Sequence, residues 1–277
     1  MKSFFKMEIN RILRNKMFWI ALLIGAILTV SQYFMFVLPN VQYLDIYKDN
    51  PFGTLCPHTW YEKWIGGELA SSQSYIFFML IPILSVLPHS LSLANDRSSG
   101  YTYNLFVRGN KKKYYISKYI TTFISGGLVV VIPLLINIFL SICTLPSLIP
   151  DPSTGTSMIM DNMMWAEFYF EHPNLYIFFY LLIIFAFAGC MAVLGLTIGT
   201  SVYNSFMITV MPFIFYLFSY AISTLNNWGK YCPFMYLTPA QRVEDISFSI
   251  ILTEILLLLS ITLFVYIIQM QKDETLN

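Results

Sequence analysis

This sequence has little charge. Asp, Glu, Lys and Arg make up 11% of its 277 residues, against roughly 25% in soluble proteins. Residues 172–229 contain none of the four. Shorter uncharged stretches run from Phe18 to Leu44, from Ala70 to Asn95 and from Tyr119 to Pro150, and Ile246–Gln271 holds only Glu254. A soluble domain has no reason to avoid charge for so long. A helix crossing a bilayer core of roughly 30 Å does, because it needs about 20 apolar residues and satisfies its own backbone amides.

Cysteine is equally sparse, with four in the chain. Cys143 and Cys190 fall in predicted spans and read as small apolar core residues. Cys56 and Cys232 fall together on one side of the membrane, where a disulfide is chemically possible, but spacing cannot fix connectivity. Catalytic signatures are missing as well. There is no H-E-x-x-H and no G-x-S-x-G, and no paired carboxylates share a cavity with a histidine. His58 and His172 belong to loops, and His89 stands alone at the end of a span. The first apolar run is too long for a signal-peptide core. It ends in Tyr33–Leu38 without a small-x-small cleavage site, so it reads as an uncleaved span.

What is present is a set of apolar runs that predicts an all-α integral membrane protein. Six transmembrane helices are expected near residues 17–38, 74–94, 116–143, 174–199, 205–224 and 247–270, in one transmembrane domain covering 1–277. Basic residues orient it. Lys2, Lys6, Arg11, Arg14, Lys16, Arg97, Arg108, Lys111, Lys112, Lys113, Lys118 and Lys272 fall on one side; Lys48, Lys63, Lys230 and Arg242 fall on the other. Short basic loops stay cytoplasmic, which predicts both termini inside.

Residues 2–16 place Phe5, Ile9, Ile12 and Leu13 at helical spacing among Lys and Arg, the pattern of an interfacial amphipathic helix against lipid headgroups. An ordinary basic flank has the same cations. The first outer loop, 39–73, is aromatic. The second, 144–173, contains a short helix through Met163–Tyr169. The third, 225–246, carries Trp228, Tyr231, Phe234, Met235 and Tyr236, too apolar for a solvated connector. It reads either as a broken re-entrant element enclosed by protein or as a belt of interfacial anchors. Gly195-x-x-x-Gly199 offers a smooth stripe for close helix packing, within the chain or between copies. Pro82, Pro88, Pro133 and Pro212 are predicted kinks. Glu254 is the one ionisable acid or base well inside a span; it reads as a structural carboxyl, within reach of Arg242, or as part of a transport path.

The basic loop from Ala94 to Lys118 is the most specific stretch. Asn95 or Asp96 can cap a helix, Tyr101, Leu105 and Phe106 give it an apolar face, and Arg108-Gly109-Asn110 ends it with a basic last turn and a C-terminal glycine. A helix over 96–109 is too short to cross a membrane and too apolar to float free, so it needs a partner groove.

This loop resembles the coupling segment of type-2 ABC-transporter permeases. In that family an acidic residue closes the second span, a glycine follows about four residues on, then an apolar helix, basic residues and a Ser-Lys opening the third span. Asp96, Gly100, Leu105, Arg108, Lys111–Lys113 and Ser117-Lys118 stand in those places. The chain is most similar in look to small permeases of Gram-positive peptide-export and antibiotic-immunity systems, and its long first outer loop departs from the shortest of them. The resemblance implies a transport subunit in a bacterial plasma membrane, exporting an amphipathic peptide or a lipid-like or antibiotic substrate. It implies two copies of a cytoplasmic ABC ATPase and a second permease copy or paralogue as partners, besides membrane lipids. ATP and Mg would sit on the ATPase, since this chain has no G-x-x-x-x-G-K-[ST] loop. It would itself bind no cofactor, metal or nucleic acid and catalyse nothing. Asp96, Gly100, Tyr101, Leu105, Phe106 and Arg108 would couple to the ATPase; Glu254, Trp228 and Tyr236 would line the substrate path. The alternatives are a stand-alone secondary transporter, for which only Glu254 is a buried ionisable candidate, and a membrane sensor or structural protein.

Overall fold

The computed structural model describes residues 2–44, 57–102, 110–152, 157–160, 162–240 and 243–275. Every regular element among them is helical. In chain order these are α1 (Lys2–Arg14), α2 (Lys16–Gln32), α3 (Trp60–Lys63), α4 (Ser72–Val86), α5 (Ser92–Ser98) and α6 (Lys111–Thr144). Then follow α7 (Ala166–Glu171), α8 (Pro173–Ile198), α9 (Ser205–Leu225), α10 (Pro233–Leu237) and α11 (Phe248–Thr275). α2 continues through a π-helical turn, Tyr33–Val37, and a 3-10 turn, Leu38–Tyr43.

Among the described residues, five stretches are long and apolar enough to cross a membrane: Lys16–Tyr43, Lys111–Thr144, Pro173–Ile198, Ser205–Leu225 and Phe248–Lys272. The chain is a multi-pass membrane protein. Polar N-caps set several of the starts. Asn15 accepts from the Met17 amide at 3.0 Å, Asn110 from Lys113 at 3.2 Å and Asn204 from Phe206 at 2.9 Å. Each cap satisfies an amide that the first helical turn leaves orphaned.

The span expected over 74–94 is the one that differs. α4 has 15 residues, which at 1.5 Å per residue is about 22 Å, short of a bilayer core. Pro88 lacks an amide proton and interrupts the ladder, and the chain turns through 87–91 before α5. Tertiary partners hold the turn: Asn15 Nδ2 donates to the Pro88 carbonyl at 2.7 Å, and Ser90 Oγ donates to the Ala192 carbonyl at 2.6 Å.

α8 lies at the centre of the bundle, with Tyr180, Ile184, Phe187, Ala188 and Leu196 fully buried. Close approach depends on missing side chains. A Cβ on Gly126 of α6 would stand 2.3 Å from the Ala192 Cβ, and one on Gly195 would stand 3.1 Å from Val86. The small-residue stripe therefore serves packing inside the chain at Gly195.

At one end of the bundle the connecting segments are packed rather than solvated. Trp64 and Ile65 are buried, and the Ile65 amide donates to Asn137 Oδ1 at 2.9 Å. Asn137 spends its two amide protons on the Thr29 carbonyl and Gln32 Oε1, both at 2.8 Å. The buried amide group is thus fully used, as a polar group in an apolar bundle must be. The helix expected over Met163–Tyr169 begins later, at Ala166, because Trp165 takes a left-handed φ of 60° before it. Around α10, Cys232, Tyr236, Leu237 and Ala240 are completely buried. The Ala240 amide donates to the Gly66 carbonyl at 3.1 Å, and Tyr176 OH donates to the Pro239 carbonyl at 3.0 Å. Protein therefore surrounds this broken backbone. Cys232 is a free thiol, and Cys56 lies outside the described residues.

Candidate functional site

The basic end of the bundle holds a buried cluster of charge built from four separate segments. α1 contributes Glu8 and Arg11, three residues apart on one face. The 87–91 turn contributes His89, α5 contributes Asp96, and the first two turns of α6 contribute Tyr114 and Lys118 four residues apart. Glu8 and Lys118 have no exposed surface, and His89 and Asp96 are buried.

Asp96 is the hub. Arg11 binds it in a fork, Nη1 to Oδ2 at 3.0 Å and Nη2 to Oδ1 at 2.5 Å. Tyr114 OH donates to Oδ2 at 2.5 Å, and Lys118 Nζ donates to the same oxygen and to Tyr114 OH, the latter at 2.7 Å. Arg11 Nη1 also reaches Glu8 Oε1 at 3.2 Å. His89 Nε2 lies 3.0 Å from Glu8 Oε2. Two carboxylates therefore face the Arg11 guanidinium and the Lys118 amine, so the buried ionisable groups are partnered as burial requires.

Burial alone would raise the Asp96 pKa. The Arg11 fork, the Lys118 charge and the two further hydrogen bonds outweigh it and bring the carboxyl down to about 2. Glu8 is also lowered, since its contacts with His89, Lys118 and Arg11 overcome the burial that opposes ionisation. The hydrogen bonds to Asp96 raise the Arg11 pKa. All three groups are ionised at neutral pH.

Asp96 thereby ties the loop following α4 to both α1 and α6. Next to it, Arg97 donates to the Thr200 carbonyl after α8, and Tyr266 OH of α11 donates to the Tyr115 carbonyl at 3.1 Å. Gly100 turns the chain out of α5 with φ +70°, a conformation that suits glycine. Tyr101 follows, 38% exposed, with Arg11 stacked 5.4 Å from its ring centroid. Leu105, Phe106 and Arg108 lie outside the described residues. So of the six residues expected to couple to an ATPase, Asp96 and Tyr101 both meet Arg11 of α1, with Asp96 turned inward rather than outward and Gly100 forming the turn between them. Asn95 and Asp96 lie inside α5 and do not cap a helix starting at 96.

At the opposite end, Tyr236 OH donates to Glu254 Oε2 at 2.8 Å, joining α10 to α11. Arg242, the partner expected for Glu254, lies outside the described residues. Trp228 stands apart, 55% exposed. Glu8, Arg11 and Lys118 were not singled out by the sequence as members of one site. The available signal was Glu8 itself, the sole acid among the basic residues of 2–16.

No family model, curated protein or solved structure matches the chain.

Proposed function

We propose that this chain is the membrane-spanning permease subunit of an ATP-driven ABC transporter, and that it exports an amphipathic peptide or a lipid-like or antibiotic substrate. The observation that carries the reading is the Asp96 hub. A subunit that receives mechanical work from a cytoplasmic ATPase needs a loop that is stiffly joined to its spans. Here the loop after α4 is held by a bidentate pair to α1 and by a buried lysine to α6, and Arg97 reaches the end of α8. A push on residues 96–109 would be transmitted to three helices at once, because packed helices move as bodies rather than deform.

In this reading the 72–91 stretch completes a sixth crossing, α1 lies in the membrane interface and the basic end faces the cytoplasm. Ile9 and Leu13 of α1 are exposed while Ile12 is buried, as an interfacial helix resting on the bundle would have them. Topology is tested by single cysteines in a Cys-free background. A cysteine at position 230 should react with an impermeant maleimide in intact cells, and one at 113 only after permeabilisation. Equal labelling of both in intact cells would overturn the orientation.

Glu254 with Tyr236 forms the recognition point for a cationic group on the substrate, which would otherwise meet an apolar wall. ATP and Mg belong to the partner ATPase. Coupling itself is tested by Leu105→Asp with Phe106→Asp. A charged pair at these two apolar residues should abolish co-purification of a nucleotide-hydrolysing subunit while the permease still inserts and runs as a single species. Full retention of that ATPase activity by the double variant would remove the coupling assignment.

A further inference from the structure

Away from the charge hub, α6 and α11 leave a cleft of about 440 Å³ between them at the basic end. From α6 the wall is Tyr115, Ile116 and Tyr119, and from α11 it is Leu263, Tyr266 and Ile267. Each set repeats at three- and four-residue spacing, so two continuous helical stripes face each other. The tyrosine hydroxyls do not make the cleft polar. Tyr266 OH donates to the Tyr115 carbonyl at 3.1 Å, and Tyr119 OH pairs with Thr262 Oγ1 at 3.1 Å. The floor therefore offers ring faces with their polar atoms already satisfied. Ile116, Leu263 and Ile267 on the rims are between 40% and 46% exposed. Lys112, exposed and part of the same lining, stands at the mouth.

An exposed apolar slot between two membrane-spanning helices, ending on a cation, matches one kind of occupant. We infer that the α6–α11 cleft is a binding site for a single anionic glycerophospholipid, with an acyl chain between the two tyrosine-floored stripes and the headgroup phosphate on Lys112. A second copy of the chain is the competing occupant. Pairing two copies symmetrically through this cleft would bring their Lys112 side chains and the neighbouring Lys113 together, and like charges oppose that contact. A zwitterionic lipid fills the slot but gains less at its mouth, because a lysine near a membrane surface discriminates by charge. The inference rests on the membrane character of the chain and not on its being a transporter.

The test uses the full chain in bilayers of phosphatidylcholine mixed with acyl-brominated phosphatidylglycerol, compared with acyl-brominated phosphatidylcholine. Leu263→Trp places a fluorophore on the rim, and Phe264→Trp places one on the neighbouring lipid-facing position, 66% exposed; quenching is read as the difference from the parent protein. At position 263 brominated phosphatidylglycerol should be preferred about 5-fold, the ratio expected for one lysine at the surface. At position 264 there should be no preference, and Lys112→Gln should remove the preference at 263. As a second readout, phosphatidylglycerol retained per purified chain, measured by native mass spectrometry, should fall in Lys112→Gln and in Ile116→Trp with Ile267→Trp, which fills the slot. Equal quenching by the two lipids at 263 would overturn the proposal. So would a preference that survives Lys112→Gln, or a dimer in which position 263 is shielded from both lipids.

Discussion

Replacing Asp96 with Ala is expected to destabilise the protein more than any other single change at the basic end. The substitution removes the shared acceptor of Arg11, Tyr114 and Lys118 and leaves a lysine with no exposed surface facing a second cation. Breaking a buried pair in this way costs about 3–5 kcal/mol, since the remaining charge keeps its desolvation penalty and loses its compensation. In detergent the apparent Tm should fall by on the order of 10 °C. The double variant Asp96→Leu with Lys118→Met removes the stranded charge together with its partner and should recover much of that loss. Acid should act in the same direction. The folded-state pKa of Asp96, about 2, lies below its ordinary value of 3.8. Its contribution to stability is therefore fully present above about pH 4 and is lost as the pH falls through about 2. Thermal scans of wild type and Asp96→Asn should differ at neutral pH and converge toward pH 2. A constant difference across that window would assign the stability to something other than the ionised carboxylate.

Glu254→Gln is expected to change substrate handling with little effect on assembly. The glutamine keeps the length of the side chain and can still accept the hydrogen bond that Tyr236 donates at 2.8 Å, but it carries no charge. A cationic group on a substrate would lose a charge-assisted hydrogen bond, worth about 1.5–3 kcal/mol, which corresponds to roughly tenfold or more in apparent affinity. Neutral amphipathic substrates should be nearly unaffected. Concentration dependence of substrate-stimulated ATP hydrolysis, measured for a cationic and a neutral peptide of the same length, reads the difference. Equal shifts for both peptides would mean that Glu254 is only a structural carboxyl closing α10 onto α11.

The helical architecture was readable because its cause is local. A long apolar run dictates a helix wherever it sits; the caps were less plain, since Asn110, read as part of the end of the loop helix, instead starts α6, as Asn15 and Asn204 start α2 and α9. The break after Val86 was not readable. Pro88 in an apolar run is equally compatible with a kinked span and with a turn. The choice depends on the Asn15 side chain and the Ala192 carbonyl, which come from distant parts of the chain. The charge hub was hidden for the same reason: Arg11 and Asp96 are 85 residues apart, and nothing in their spacing joins them. Asp96 drew notice as the head of a basic loop, and its inward orientation follows from partners on α1 and α6 that the loop itself does not reveal. Glu254 and Tyr236 were each conspicuous, one as a lone carboxylate in a span and the other in an apolar connector. Their pairing rests on how the chain just after α10 is held, with Tyr176 donating to the Pro239 carbonyl and Ala240 donating to the Gly66 carbonyl.

In the proposed function this chain converts work done by a partner ATPase into movement of an amphipathic molecule across a membrane. This is tested most directly by co-reconstituting the purified chain with its co-purifying ATPase in sealed vesicles and following a fluorescent cationic amphipathic peptide. ATP-dependent movement that requires both subunits and is lost with Leu105→Asp and Phe106→Asp is the expected result. Movement of the peptide by the chain alone, driven by an ion gradient and indifferent to ATP and to that double substitution, would contradict it.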